Sequence, residues 1–330
     1  MQKYSFGPEN PDITYVPHKY KEHLFDTGEV LLNYATVGTK DKPAIVLIPA
    51  QTESWWGYEA AMGLLSERFQ VFAVDLRGQG RSSRTPGRYT FDNMGNDLVR
   101  FITFVIARPV VVSGLSSGGV LSAWLSAYAP PGMVRGAVYE DPPLFSCELT
   151  PAFGPSIRQT ILSEVFELRS IYLGDQWCVG DWEKYKNAIR EVFPPSLFQA
   201  MFGAAIEPPQ NYKEYDPEWA RACIKGTISA SCDHAQMLSH VKCPVLFTRH
   251  ASFLATLTGS SIGVVSDEQM EQIEKLVKGT GQPFTFLSFP EMGHLMHSID
   301  PELYVRTIND WEKTLPTEAE TREKGVFAKR

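Results

Sequence analysis

The chain has 330 residues, 43% of them hydrophobic and 21% charged, which excludes collagen, coiled coil and extended disorder and fits about two ordinary domains or one large one with an insertion. Lys and Arg number 31 against 38 Asp and Glu, a net charge of -7 that repels nucleic-acid phosphates and anionic membranes, so neither is an expected partner. Five widely spaced cysteines without a C-x-x-C pair exclude a disulfide framework or a zinc ribbon.

In chain order, the first twenty residues lack the apolar core of a signal peptide, and no run approaches the ~18 apolar residues of a membrane span. The expectation is a cytoplasmic protein. Residues 23–36 predict a hairpin turning at Thr27-Gly28. AIVLIPA (44–50), QVFAVDL (70–76), PVVVSG (109–114), RGAVYE (135–140), PVLFTRH (244–250) and PFTFLSF (283–289) are short apolar runs typical of buried parallel strands. Ser266 with Gln269 forms a capping box opening a helix that Gly279 ends, and the last helix has Asp300 as N-cap and Pro301 at its first position. That helix buries Tyr304, Ile308 and Trp311 and stops before Pro316, leaving a frayed tail. Strand and helix alternation predicts an α/β fold with a mostly parallel central sheet flanked by helices. The exception is 143–242, aromatic-rich and without a good strand run. It predicts an inserted helical cap over a core formed by 1–142 and 243–330, roofing the crevice at the strand ends.

The pattern G-x-S-x-G occurs at Gly114–Gly118 and again at Gly259–Gly263. Only the first has a strand running in and a helix running out, the setting that exposes a serine on a strained turn. Ser116 is therefore the candidate nucleophile, and Ser261 is set aside. A general base near neutral pH is most often histidine. His294, following Gly293 after the last strand, lies at the same sheet edge; His297 and His250 are its rivals. The oxyanion of the transition state needs two donors: the backbone N–H of Ser117, at the positive end of its helix, and that of Gln51, after the strand 44–50. A carboxylate is needed to orient the base, and Glu140-Asp141, at the end of 135–140, lies at the same sheet edge, whereas 251–266 contains none. Their side chains point to opposite faces, so only one reaches His294. Glu140 is the choice and Asp141 the alternative. The two histidines 294 and 297 lack the glutamate of an H-E-x-x-H site, so no metal and no cofactor is expected.

GLSSGG, MGH, the turn DLRGQGRS at 75–82 and the segment PAQTESWW together resemble the α/β-hydrolase superfamily over residues ~20–315. Pro49-Ala50 stands where His-Gly is usual. Ser83 replaces the third glycine of a dinucleotide fingerprint, which excludes a nucleotide site. Within the superfamily, SWWGYEAAMGLL, FAVDLRGQGRS, NDLVRFI, LGDQW and KEYDPEW are similar to the zearalenone lactonases, the bacterial branch most closely. The resemblance implies hydrolysis of the macrocyclic ester of a resorcylic acid lactone, a triad of Ser116, Glu140 and His294, and a homodimer. Trp177 and Trp182 in the cap, with Pro142 at its entrance, are candidate ligand contacts. Two other readings stand beside it: a general carboxylesterase for small apolar esters, and a non-catalytic ligand receptor on the same fold.

Overall fold

The computed structural model describes residues 14–203, 205–251, 265–323 and 325–328. Among these, eight strands form one sheet in the order β1-β2-β4-β3-β5-β6-β7-β8. They are β1 (Glu22–Asp26), β2 (Leu31–Val37), β3 (Ala44–Ile48), β4 (Gln70–Val74), β5 (Val110–Leu115), β6 (Val134–Glu140), β7 (Val245–Arg249) and β8 (Phe284–Ser288). β1 pairs antiparallel with β2, and β2 with β4; the pairings from β4 through β8 are parallel. Each strand run expected from the sequence is present; the runs β3 to β7 are buried on both faces, while the edge strands β1 and β8 are half-buried or exposed.

Strand alternation divides the core. Val46, Ile48, Val112, Ala137, Tyr139 and Phe247 face one cluster, and Ile45, Leu47, Val111, Val138 and Leu246 face the other. Helices α1 (Glu59–Leu65), α2 (Phe91–Phe101) and α3 (Ser117–Tyr128) connect the early strands. Between β6 and β7 the chain forms α4 (Ile161–Tyr172), α5 (Trp182–Val192), α6 (Pro195–Phe202), α7 (Gln210–Lys213), α8 (Glu218–Ile224) and α9 (His234–Leu238). The chain closes with α10 (Asp267–Gly279), α11 (Met296–Ile299), α12 (Pro301–Glu312) and α13 (Glu318–Glu323). The Ser266–Gln269 capping box is formed, and Asp300 caps α12 by accepting from the Leu303 N–H at 2.9 Å.

The end of the chain departs from expectation. Instead of a frayed tail, α13 follows α12, the Val326 N–H donates to the Pro131 carbonyl at 2.9 Å, and Phe327 is completely buried. One aromatic side chain anchors the segment, and an isolated phenylalanine in a polar stretch carries no periodic signal. None of the helices among the described residues is long and apolar enough to cross a membrane.

Candidate active site

The chain order reverses at β3. β4 lies on one side of it and β5 on the other, so the loops leaving β3 and β5 diverge and open a crevice at their C-terminal ends. The loop after β5 carries Ser116, whose φ of 54° and ψ of -117° are strained for a residue with a side chain. Sequence explains how the turn closes. A Cβ on Gly114 would stand 2.0 Å from the Gly118 carbonyl oxygen, and one on Gly118 would stand 2.2 Å from that of Ile48. Only glycine at both positions lets the turn fold against the helix and β3. Ser117 is the first residue of α3, so its N–H has no partner within the helix and stays available to an oxyanion.

The loop after β3 is braced from several directions. Glu53 accepts from the Ala50 N–H at 3.1 Å, while its own N–H donates to Gln79 at 3.2 Å. The Trp55 N–H donates to Asp75 at 2.8 Å. Asp75 also accepts from the Arg81 N–H at 3.0 Å across Gly80, where a Cβ would collide with its carboxylate at 2.0 Å. From the helical segment, Asn211 donates to the Thr52 carbonyl at 2.8 Å and the Gln51 side-chain amide donates to the Tyr215 hydroxyl. Arg169 of α4 approaches the Gln51 side-chain oxygen at 3.5 Å. These braces hold Gln51 at the mouth of the crevice. Arg169 and Tyr215 escaped the sequence reading because no motif marks a brace supplied from a distant helix.

Asp141 follows β6 and His294 lies in the loop after β8, with β7 between the two strands. His294 Nδ1 is 2.6 Å from Asp141 Oδ2. Asp141 Oδ1 accepts from the His250 N–H at 3.0 Å, and the Asp141 N–H donates to the Thr248 carbonyl at 2.9 Å. His250 Nδ1 stands 3.0 Å from the His294 carbonyl oxygen, so this rival histidine serves as a strut. The Ser116 N–H donates to the Glu140 carbonyl at 2.8 Å, which ties the serine turn to the end of β6 that carries Asp141. Catalytic hydrogen bonds are often long until substrate binds, and among the described residues none joins the Ser116 hydroxyl to His294. Burial opposes protonation of His294, but the Asp141 hydrogen bond and charge, with Glu140 and Glu53 behind it, outweigh it and raise its pKa above the usual histidine value.

The expected partnership of Glu140 with His294 is not what the structure holds. Glu140 faces the same side of β6 as Val138, and there its carboxylate meets His297 Nδ1 at 3.3 Å. Asp141 leaves the strand with a φ of 42°, which aspartate tolerates better than most residues, and swings to the rim. The tryptophans are engaged in packing. Trp177 donates to the Gly80 carbonyl at 2.9 Å, and Trp182 stacks on Tyr185 with ring centroids 5.5 Å apart. Pro142 is buried beside the serine turn, where a Cβ on Gly119 would stand 2.9 Å from it. Ser261 lies outside the described residues.

With this geometry in place, the pattern of the Alpha/beta hydrolase family matches residues 45–307. The chain belongs to the alpha/beta hydrolase family. It is similar to 3-oxoadipate enol-lactonase 2 of Acinetobacter baylyi, 29% identical over 111 residues, 33% of this chain and 42% of that one. The chain thus spans about two fifths of that relative's length. The AB hydrolase superfamily protein YfhM of Bacillus subtilis is 25% identical over 222 residues, 63% of this chain and 75% of its own. Among solved structures, the enol-lactonase from Burkholderia xenovorans LB400 superposes with a TM-score of 0.63 at 17% identity, covering 88% of this chain and 100% of the other. That likeness is one of fold. Within the matched residues lie the serine turn after β5, the Asp141 carboxylate after β6 and the His294 loop after β8.

Proposed function

We propose that this alpha/beta hydrolase is a serine hydrolase that opens the macrocyclic lactone of zearalenone-like resorcylic acid lactones through an acyl-enzyme. The observation that carries the serine-hydrolase reading is the strained Ser116 turn, bonded to the Glu140 carbonyl beside the Asp141–His294 pair. The lactone preference rests on the sequence resemblance and on an aromatic-rich helical segment, read as a cap, whose Tyr215, Asn211 and Arg169 reach the loop after β3.

In this mechanism His294 Nε2 takes the Ser116 proton as Oγ attacks the lactone carbonyl, and the N–H groups of Ser117 and Gln51 hold the oxyanion. Asp141 keeps Nδ1 protonated and stabilises the imidazolium, which then gives its proton to the departing ring oxygen. The alcohol stays tethered to the acyl-enzyme because the substrate is cyclic. Water, deprotonated by His294, attacks the acyl carbon; collapse of the second tetrahedral intermediate returns the proton to Ser116 and releases a ring-opened hydroxy acid. The triad acid in this proposal is Asp141. No metal enters the scheme.

The test is mass spectrometry of products from zearalenone and from short-chain aryl esters, with Ser116→Ala as control. A ring-opened product one water heavier, absent with Ser116→Ala, supports the reading. Rapid turnover of short esters without lactone opening would make it a general carboxylesterase, and no turnover of either would favour a ligand receptor. Light scattering tests the proposed homodimer.

A further inference from the structure

Behind the Asp141–His294 pair lies a second histidine cluster that the proposed chemistry does not use. His297, at the start of α11, is completely buried, as is Glu140, and Glu53 is 6% exposed. His297 Nε2 is 2.8 Å from Glu53 Oε1, and Nδ1 is 3.3 Å from both oxygens of Glu140. The His297 N–H also points to Glu140 at 3.4 Å. Both ring nitrogens face carboxylate oxygens, which accept and do not donate when ionised, so the ring satisfies both only as the doubly protonated cation.

The three side chains come from three different segments: the loop after β3, the end of β6 and α11. Glu53 lies in the loop after β3 and accepts from the Ala50 N–H, one residue before Gln51. Glu140 precedes Asp141, and His297 follows His294 by three residues. Two tyrosines enclose the ring: Tyr58 stacks on it with centroids 3.8 Å apart, and Tyr304 meets it edge-on at 5.8 Å. The hydroxyl of Tyr58 donates to the Ile48 carbonyl at 3.0 Å, and that of Tyr304 lies 2.7 Å from Ser113 Oγ. Both phenols are held neutral by burial. The charged groups facing His297 are therefore Glu53 and Glu140, with His294 and Asp141 beyond them.

We infer that Glu53, His297 and Glu140 form a positioning device for the proposed reaction: a charged clamp that fixes the oxyanion loop to the acid-bearing strand end and leaves an excess negative charge behind His294. Two carboxylates against one imidazolium sum to one negative charge. That charge favours proton uptake by His294 as Ser116 attacks. Burial opposes the His297 charge, but Glu53 and Glu140 overcome it and push the pKa up to about 10, so the clamp keeps its form through the range in which His294 must change. A neutral isostere at Glu53 or Glu140 would loosen the oxyanion loop and make His294 a weaker base.

The inference rests on the serine-hydrolase reading, and the experiment separates the two. Protein with ¹⁵N-labelled histidine is titrated by NMR without substrate, and the resonances of His297 are assigned with His297→Gln. Should that variant not fold, Glu53→Gln identifies them by their displacement. Both His297 nitrogens are expected to carry protons at pH 8; a neutral ring there would overturn the inference whatever the activity. In kinetics, Glu53→Gln is expected to lower kcat by about 10²-fold, the scale of a misplaced catalytic group, and to change KM far less. The acid limb of its kcat/KM profile is expected to move to lower pH. A kcat within twofold of wild type, or an unmoved limb, would overturn the clamp, whereas retained turnover in Ser116→Ala would instead overturn the serine-hydrolase reading.

Discussion

Glu140 and Asp141 are neighbours in the chain, but their carboxylates meet different histidines. Glu140 joins the Tyr58 and Tyr304 side, and Asp141 turns to the rim beside His294. Asp141→Asn is therefore expected to lower kcat by about 10⁴-fold, the scale of a triad aspartate turned to asparagine in a serine protease. Steady-state kinetics on the ring-opening substrate, with circular dichroism to establish folding, check this. Glu140→Gln is expected to cost less, because it acts through position and charge; a larger loss at Glu140 would restore the first assignment. The raised pKa of His294 carries a second expectation. The base must be neutral to accept the serine proton, so kcat/KM is expected to rise with pH through a step above the ordinary histidine value of about 6.5. A profile whose step lies below that value would count against Asp141 as partner.

Whole elements bring support that no single site residue supplies. The stretch from α7 to the start of α8 lies against the loop after β3. Glu214 accepts from the Trp56 indole at 2.9 Å and from the Ser54 hydroxyl, and Tyr215 accepts from Gln51. Tyr215→Phe removes the Gln51 contact while keeping the ring, and kcat is expected to fall several-fold with stability lowered by about 1 kcal/mol. Denaturant melts and kinetics on the same preparation would separate the two effects. The final segment is an element of a different kind. Arg108 pairs with Glu318 at 3.0 Å and Phe327 fills a gap in the core. Phe327→Ala is expected to destabilise the fold by about 3 kcal/mol, as large core truncations do, whereas a freely frayed tail would leave the unfolding midpoint unchanged.

Across the whole molecule, buried histidines give opposite pH signatures. His234 accepts the Phe145 N–H at 2.8 Å on Nδ1, and burial lowers its pKa to about 4. Its folded value lies below the unfolded one, so it costs nothing above about pH 6.5 and increasingly destabilises the fold as pH falls toward 4. His297, raised to about 10, stabilises fully below about pH 6.5 and loses that contribution as pH rises toward 10. The stability gap between wild type and Glu53→Gln is expected to narrow across that alkaline window in thermal melts. A gap independent of pH would show that the His297 charge contributes nothing to the fold.

The strands, the serine turn and the histidine loop were legible in the sequence because each has a local cause. β-branched runs form buried strands, Gly114 and Gly118 permit the close approach of Ser116's turn to β3, and Asp300 and Ser266 cap their helices. The order of elements along the chain was enough to place Ser116 and His294 at one edge of a parallel sheet. Which carboxylate meets which histidine is a different kind of fact. Glu140 ends β6 on the Val138 face and Asp141 leaves the strand with a φ of 42°, but which of them receives His294 and which His297 depends on how the loop after β8 docks across the strand ends. Glu53 is 244 positions from His297 in sequence and 2.8 Å from it in space. No periodicity or capping rule spans such a separation, so these contacts arise only when the loops pack across the strand ends.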